Sequence, residues 1–134
     1  MNLKKFLLAG VVGGIVANIL DEVVHGQLLQ SQYAALPNLF NQDQGNLPWL
    51  IFGDFVAVFI FVWVYDRVYS SFSGGPKGGA TFGLYAGILA NFPTWIFMHL
   101  LVIGWPYSLS WIWIIFGVAW GVIVGAVVGA LYKK

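Results

Sequence analysis

Apolar residues fall in four long runs, Phe6 to His25, Trp49 to Tyr65, Ala80 to Ile103 and Trp111 to Tyr132. Each approaches or exceeds the ~17–25 residues that carry a helix across a hydrocarbon core. Lipid offers no partners for free backbone groups, so the runs predict helices at about 6–25, 49–65, 80–103 and 111–132. Three connections separate them. Gly26 to Pro48 is polar and holds Pro37, Asn38, Gln42, Asp43, Gln44 and Gly45. Within it Leu29, Tyr33, Leu36 and Phe40 keep helical spacing, which predicts a short helix lying at a membrane interface. The segment SSFSGGPKGG reads as a flexible loop, and Gly104-Trp105-Pro106 as a tight turn.

Composition strengthens this reading. Hydrophobic residues make up 60% of the 134 positions and charged residues 8%, against roughly 25% charged in soluble domains. A single domain of this size could not hide so much apolar surface, so the bilayer is expected to be the solvent. There is no cysteine, which excludes disulfides, thiolate catalysis and lipid attachment at a lipobox. Six basic residues leave no stripe for nucleic acid. Lys4 and Lys5 before an apolar run resemble a signal peptide, but the run continues past any small-x-small site and the pattern returns later in the chain.

Charge placement sets the expected orientation. Lys4, Lys5, Arg67, Lys77, Lys133 and Lys134 all land on one side of a four-helix serpentine. By the positive-inside rule both termini are cytoplasmic, in a multi-pass protein of a bacterial-type inner membrane. Trp49, Trp105, Trp111 and Trp113 then mark the outer boundary, and Trp63, Tyr65, Tyr69 and Tyr132 the inner one.

An internal repeat is also legible. Lys4, Gly10, Gly14 and Asn18 return as Lys77, Gly83, Gly87 and Asn91, each pair 73 positions apart. Trp49-Leu-Ile-Phe-Gly53 returns as Trp113-Ile-Ile-Phe-Gly117. The fold class that follows is an all-α four-helix bundle built as a tandem duplication of a helical hairpin. Its halves, about 1–72 and 73–134, would be related by an axis along the membrane normal.

Glycine spacing indicates how the helices meet. Gly117, Gly121, Gly125 and Gly129 recur every four residues, as do Gly79, Gly83 and Gly87, and Gly10 and Gly14. Such a glycine zipper lets backbones approach closely, within the bundle or, for the last helix, in a homo-oligomer.

The same stripes turn polar toward the outer half. Asn18, Asp21, Glu22 and His25 fall within one arc of roughly 100°. Asn91, Thr94 and His99 follow Gly87, and Asp54 lies five residues past Trp49. Asn18 and Asn91 are expected to face each other as an interhelical hydrogen-bonded pair. His25 and His99 would flank the axis, and Pro93 would absorb the extra residue between Asn91 and His99. Asp21, Glu22 and Asp54 have no Lys or Arg near them. They must be protonated, neutralised by His25 and His99, or hold a cation. Asp54, set among Phe52, Phe55 and Val56, most needs a partner, and coupling to His99 or to the acids of the first helix is expected. Asp66 and Arg67 read as a solvated pair at the cytoplasmic end.

Three functional readings follow. The first is a structural or accessory subunit of a larger membrane complex, with the polar residues as bundle glue. The second is proton or cation binding or transport through the outer-half Asp/Glu/His cluster. The third is a metal or haem site at His25 and His99 with Asp54, since imidazole with carboxylate suits zinc or iron. No HExxH or CxxCH is present, and no nucleophile–base arrangement supports an enzyme.

The segments WVYDRVYSSF, from Trp63 to Phe72, and GLYAGILANFPTW, from Gly83 to Trp95, resemble an uncharacterised family of small bacterial four-helix integral membrane proteins. The resemblance implies a bacterial membrane protein and carries over no functional residue.

Overall fold

A computed structural model describes residues 1–41 and 44–134. Gln42 and Asp43, part of the polar first connection, lie outside the described residues. Among the described residues the chain is all-helical, with four long apolar helices.

Helix α1 spans Leu3–Asp21, capped by the Asn2 side chain, which accepts from the Lys5 N–H at 3.2 Å. It continues as a π-helical segment, Glu22–Leu28, where the Leu29 N–H bonds Val24 O at 2.9 Å. Together they form one apolar rod, Leu3–Leu28, three residues longer at each end than the hydrophobic run predicts. The short helix α2, Gln30–Ala34, falls in the first connection as predicted, one turn long.

Helix α3, Leu47–Val68, opens on Pro48, whose missing N–H costs nothing in a first turn. Helix α4, Gly75–Leu101, begins five residues before the predicted start and runs unbroken through Pro93. The sequence SSFSGGPKGG is therefore a loop only to Gly74, where φ is +69° and then +63° at Gly75, a conformation that favours glycine. Pro76 starts the helix, and Gly78 and Gly79 belong to it. Helix α5, Tyr107–Leu131, follows a turn at Gly104, φ +86°.

Glycine propensity argues against helix, but packing overrides it here. A Cβ on Gly79 would lie 2.7 Å from Gly129 Cα, and one on Gly83 would lie 2.6 Å from Gly121 C. Backbone meets backbone along α4 and α5, which no larger residue permits. Helices α1 and α3 meet differently: Gly10 and Gly14 are hollows that receive the rings of Phe59 and Phe55. Gly13 makes the third contact, with Val58 Cγ1 2.9 Å and Val128 Cγ2 3.3 Å from where its Cβ would be.

The core is built of small and medium residues, Ala9, Ala17, Val58, Val62, Val124 and Val128, closed at one end by Tyr65, Phe82 and Tyr132. Large apolar side chains lie on the outside instead. Trp49 is 72% exposed, and Leu89 and Leu101 are 78%. The α1–α5 and α3–α4 contacts differ in kind. Helix α1 reaches α5 closely at Gly13, while Phe61 and Phe82, 4.7 Å apart, bridge α3 and α4 through their rings.

Candidate cation site

A cavity of about 260 Å³ opens where the C-terminal ends of α1 and α4 meet the N-terminal ends of α3 and α5. Asp21, the last residue of α1, and Asp54, in the second turn of α3, turn their carboxyl groups into it, within hydrogen-bonding reach of each other. Trp120 of α5 lines the same cavity. Asp54 is thus coupled to a helix-one acid, one of the two arrangements expected, and not to His99.

Rings form the walls. Trp113, Phe116 and Trp120 occupy one face of α5, and Trp95 comes from α4. Trp95 and Trp113 meet edge to face, with centroids 4.1 Å apart. The Trp95 indole donates to Asn91 Oδ1 at 3.1 Å, and the Trp113 indole to the Tyr33 hydroxyl at 2.9 Å. Tyr33, from α2, is fixed by the connection that sequence alone assigns to an interface. Burial, with a smaller push from Asp21, raises its hydroxyl to about 12 despite the opposing Trp113 N–H. The phenol therefore keeps its proton.

That proton faces His25. Nδ1 of His25 lies 2.5 Å from the Tyr33 oxygen, and the imidazole is gripped edge-on by Trp113 and Phe116, each with centroids 5.0 Å away. The Tyr33 hydroxyl thus links the His25 ring to the Trp113 indole. His25 sits on the π-helical segment, a local widening that recurs at functional sites.

Several expected partnerships are not formed. Asn18 and Asn91 do not pair. Each donates back to the carbonyl four residues earlier on its own helix, Gly14 and Gly87, at 2.9 Å in both cases. A helix-interior amide can always find that acceptor, so it does not need the facing helix. His99 stays outside the cavity. Its Nδ1 is 3.3 Å from Trp105 O and its ring packs on Tyr107. The turn folds inward, burying Trp105 and closing the α4–α5 end through Trp105 Nε1–Ser110 Oγ, 3.0 Å, and Ser110 Oγ–Trp95 O, 2.7 Å. His25, His99 and Asp54 therefore do not converge as a three-ligand metal site. Among the described residues no group of three or more His, Asp or Glu could hold a metal ion. Glu22 is exposed and folds over Gly26, outside the cavity.

A second cluster lies at the opposite end. Asp66 is only 3% exposed, so the expected solvated pair with Arg67 is not formed. Tyr132 donates to Asp66 Oδ1, Asn2 N–H reaches the Tyr132 oxygen at 3.4 Å, and Lys134 Nζ donates to Asp66 O at 3.2 Å. Arg67 lies over Trp63 instead, 5.1 Å from the ring centre. The C-terminal residues fold back over α3 and remove Asp66 from water.

The tryptophan walls carried a readable signal. Trp113, Phe116 and Trp120 stand at i, i+3 and i+7, and Trp95 is four residues past Asn91, so each set shares a helix face with a polar group. Compared with protein-family models, curated proteins and solved structures, the chain matches none.

Proposed function

We propose that the chain is an integral membrane protein of four crossing helices that binds a positive charge, proton or cation, at the Asp21–Asp54 pair. The observation that carries this is the meeting of two carboxyl groups from different helices in a cavity with no Lys or Arg in its lining. Two adjacent acids in an apolar setting cannot both be charged without a counter-ion. Bundle glue accounts for the glycine faces. It does not account for a cavity that holds both acids.

The inverted exterior supports the membrane reading: small residues inside, Leu, Ile, Phe and Trp outside, which suits lipid and not water. The six basic residues sit at or near the helix ends opposite the cavity, so the cavity faces away from the cytoplasm. A tandem duplication is supported by the return of Lys4, Gly10, Gly14 and Asn18 as Lys77, Gly83, Gly87 and Asn91, each 73 positions on.

Thermal unfolding of the purified protein in detergent, across pH and with added salts, tests the reading. A ligand of the folded state raises its stability by mass action. Wild type should gain stability from protons or a cation, and Asp54→Asn should lose that gain. Superimposable profiles for the two proteins would contradict the proposal.

A further inference from the structure

We propose that the occupant of the cavity is a compact organic ammonium ion, a protonated or quaternary amine, held between the carboxyl pair and a wall of aromatic rings. This rests on the cation reading above and names the kind of cation.

The wall is unsuited to a bare metal ion. Calcium and magnesium take about six or more oxygen ligands, and this cavity offers two carboxyl groups, one amide and an imidazole, too few oxygens for either. The Asn91 amide is spent on Gly87 and Trp95. What remains of the lining is aromatic apart from Gly117. Tryptophan is the strongest aromatic partner for a cation, and Trp95, Trp113 and Trp120 line this cavity with Phe116. The indole N–H groups of Trp95 and Trp113 are directed to Asn91 and Tyr33, so those two do not offer donors to an anion.

Size and charge narrow the guest further. The volume of about 260 Å³ lies just below the ~300–1,000 Å³ of pockets for drug-sized ligands. A bare ion would leave most of it empty, and an organic cation occupies more of it. Desolvating such an ion costs less than desolvating sodium, because its charge is spread over carbon. One monovalent guest and one proton shared between Asp21 and Asp54 balance the two carboxylates.

Tryptophan emission of the detergent-solubilised protein, titrated with tetramethylammonium, sodium, magnesium and neutral tert-butanol, is the test. Tetramethylammonium should saturate at roughly tenfold lower concentration than either metal ion, and tert-butanol, of similar shape, should do nothing. Asp54→Asn should abolish the response, and Phe116→Leu should weaken it about threefold. The comparison with tert-butanol stands even if Asp54→Asn does not fold. A saturable, Asp54-dependent response to sodium or magnesium without one to tetramethylammonium overturns the ammonium assignment and keeps the cation reading. So does silence toward every probe while Asp54→Asn still alters the pH profile of unfolding, which leaves the proton as occupant. Silence toward every probe with unaltered unfolding overturns both. A tetramethylammonium response matched by tert-butanol is apolar partitioning and overturns the assignment.

Discussion

Tyr132 donates a hydrogen bond to Asp66, joining the C-terminal end of the chain to the last turn of α3. The phenol is fully buried, and its oxygen also receives the Asn2 N–H, so one side chain ties both termini to the bundle.

Tyr132→Phe removes the donor and leaves Asp66 buried. The expected loss is about 1–3 kcal/mol, the cost of an unsatisfied buried polar group, read from chemical unfolding in detergent. A loss below about 0.5 kcal/mol would place Asp66 in contact with water.

The same residue sets an alkaline limit. Burial, then the hydrogen bond to Asp66, pushes the Tyr132 hydroxyl from 10.0 up to about 12. A group whose folded value is raised contributes stability that is intact below the unfolded value and is lost as pH climbs through the folded one. Stability should therefore fall between pH 10.0 and about 12, and the fall should be shallower in Tyr132→Phe. Parallel curves for the two proteins would contradict this assignment.

Glycine substitutions should divide by position. A Cβ at Gly125 would lie 3.0 Å from Gly79 C, and one at Gly121 would lie 3.3 Å from Gly87 Cα, both backbone atoms that cannot step aside. Gly121→Leu or Gly125→Leu should force α4 and α5 apart and cost more than the ~1–3 kcal/mol of ordinary overpacking. Gly53, with nothing within 4 Å of its Cβ position, should accept alanine with a gain of roughly 0.5–1 kcal/mol. Thermal unfolding of the three variants decides. Equal midpoints would remove the close approach.

Those glycines also show why the fold was only partly legible. The four apolar runs are long and nearly free of charge, so helix number and order could be read directly. Gly75 to Gly79 read as loop because glycine propensity is local information. The reason the segment is helical is the α5 backbone lying against it, a contact made across some 50 residues. The site was legible to the same degree. Asp21, Glu22 and Asp54 stand out because an acid without a cation nearby is visible in one dimension, but that pattern does not show that Glu22 lies outside the cavity. The expected pairing of Asn18 with Asn91 does not form, since each amide has an acceptor one turn away. Asp66 was misjudged because its cover, Tyr132, arrives from the far end of the chain.

Orientation can be checked by labelling. The sequence contains no cysteine, so Ser73→Cys and Ile103→Cys, the latter at a residue 98% exposed, each introduce one reactive thiol. In intact cells a membrane-impermeant maleimide should modify the second and spare the first. The reverse pattern would invert the topology, and labelling of both would count against a membrane-crossing bundle.

Tyr33→Phe should loosen the cavity wall. It removes the acceptor of the Trp113 N–H, 2.9 Å away, and the partner of His25, 2.5 Å away. A loss of about 1–2 kcal/mol is expected, with faster deuterium exchange at the Trp113 indole. Unchanged exchange would show that the connection does not hold that ring.

Infrared difference spectra, recorded on adding acid or the bound cation to detergent-solubilised protein, report the state of the two carboxyl groups. A site that houses a positive charge between Asp21 and Asp54 should give a carboxyl difference band that both Asp21→Asn and Asp54→Asn remove. A band that survives either substitution, or two carboxylates with the spectrum of acids free in water, would contradict the central claim.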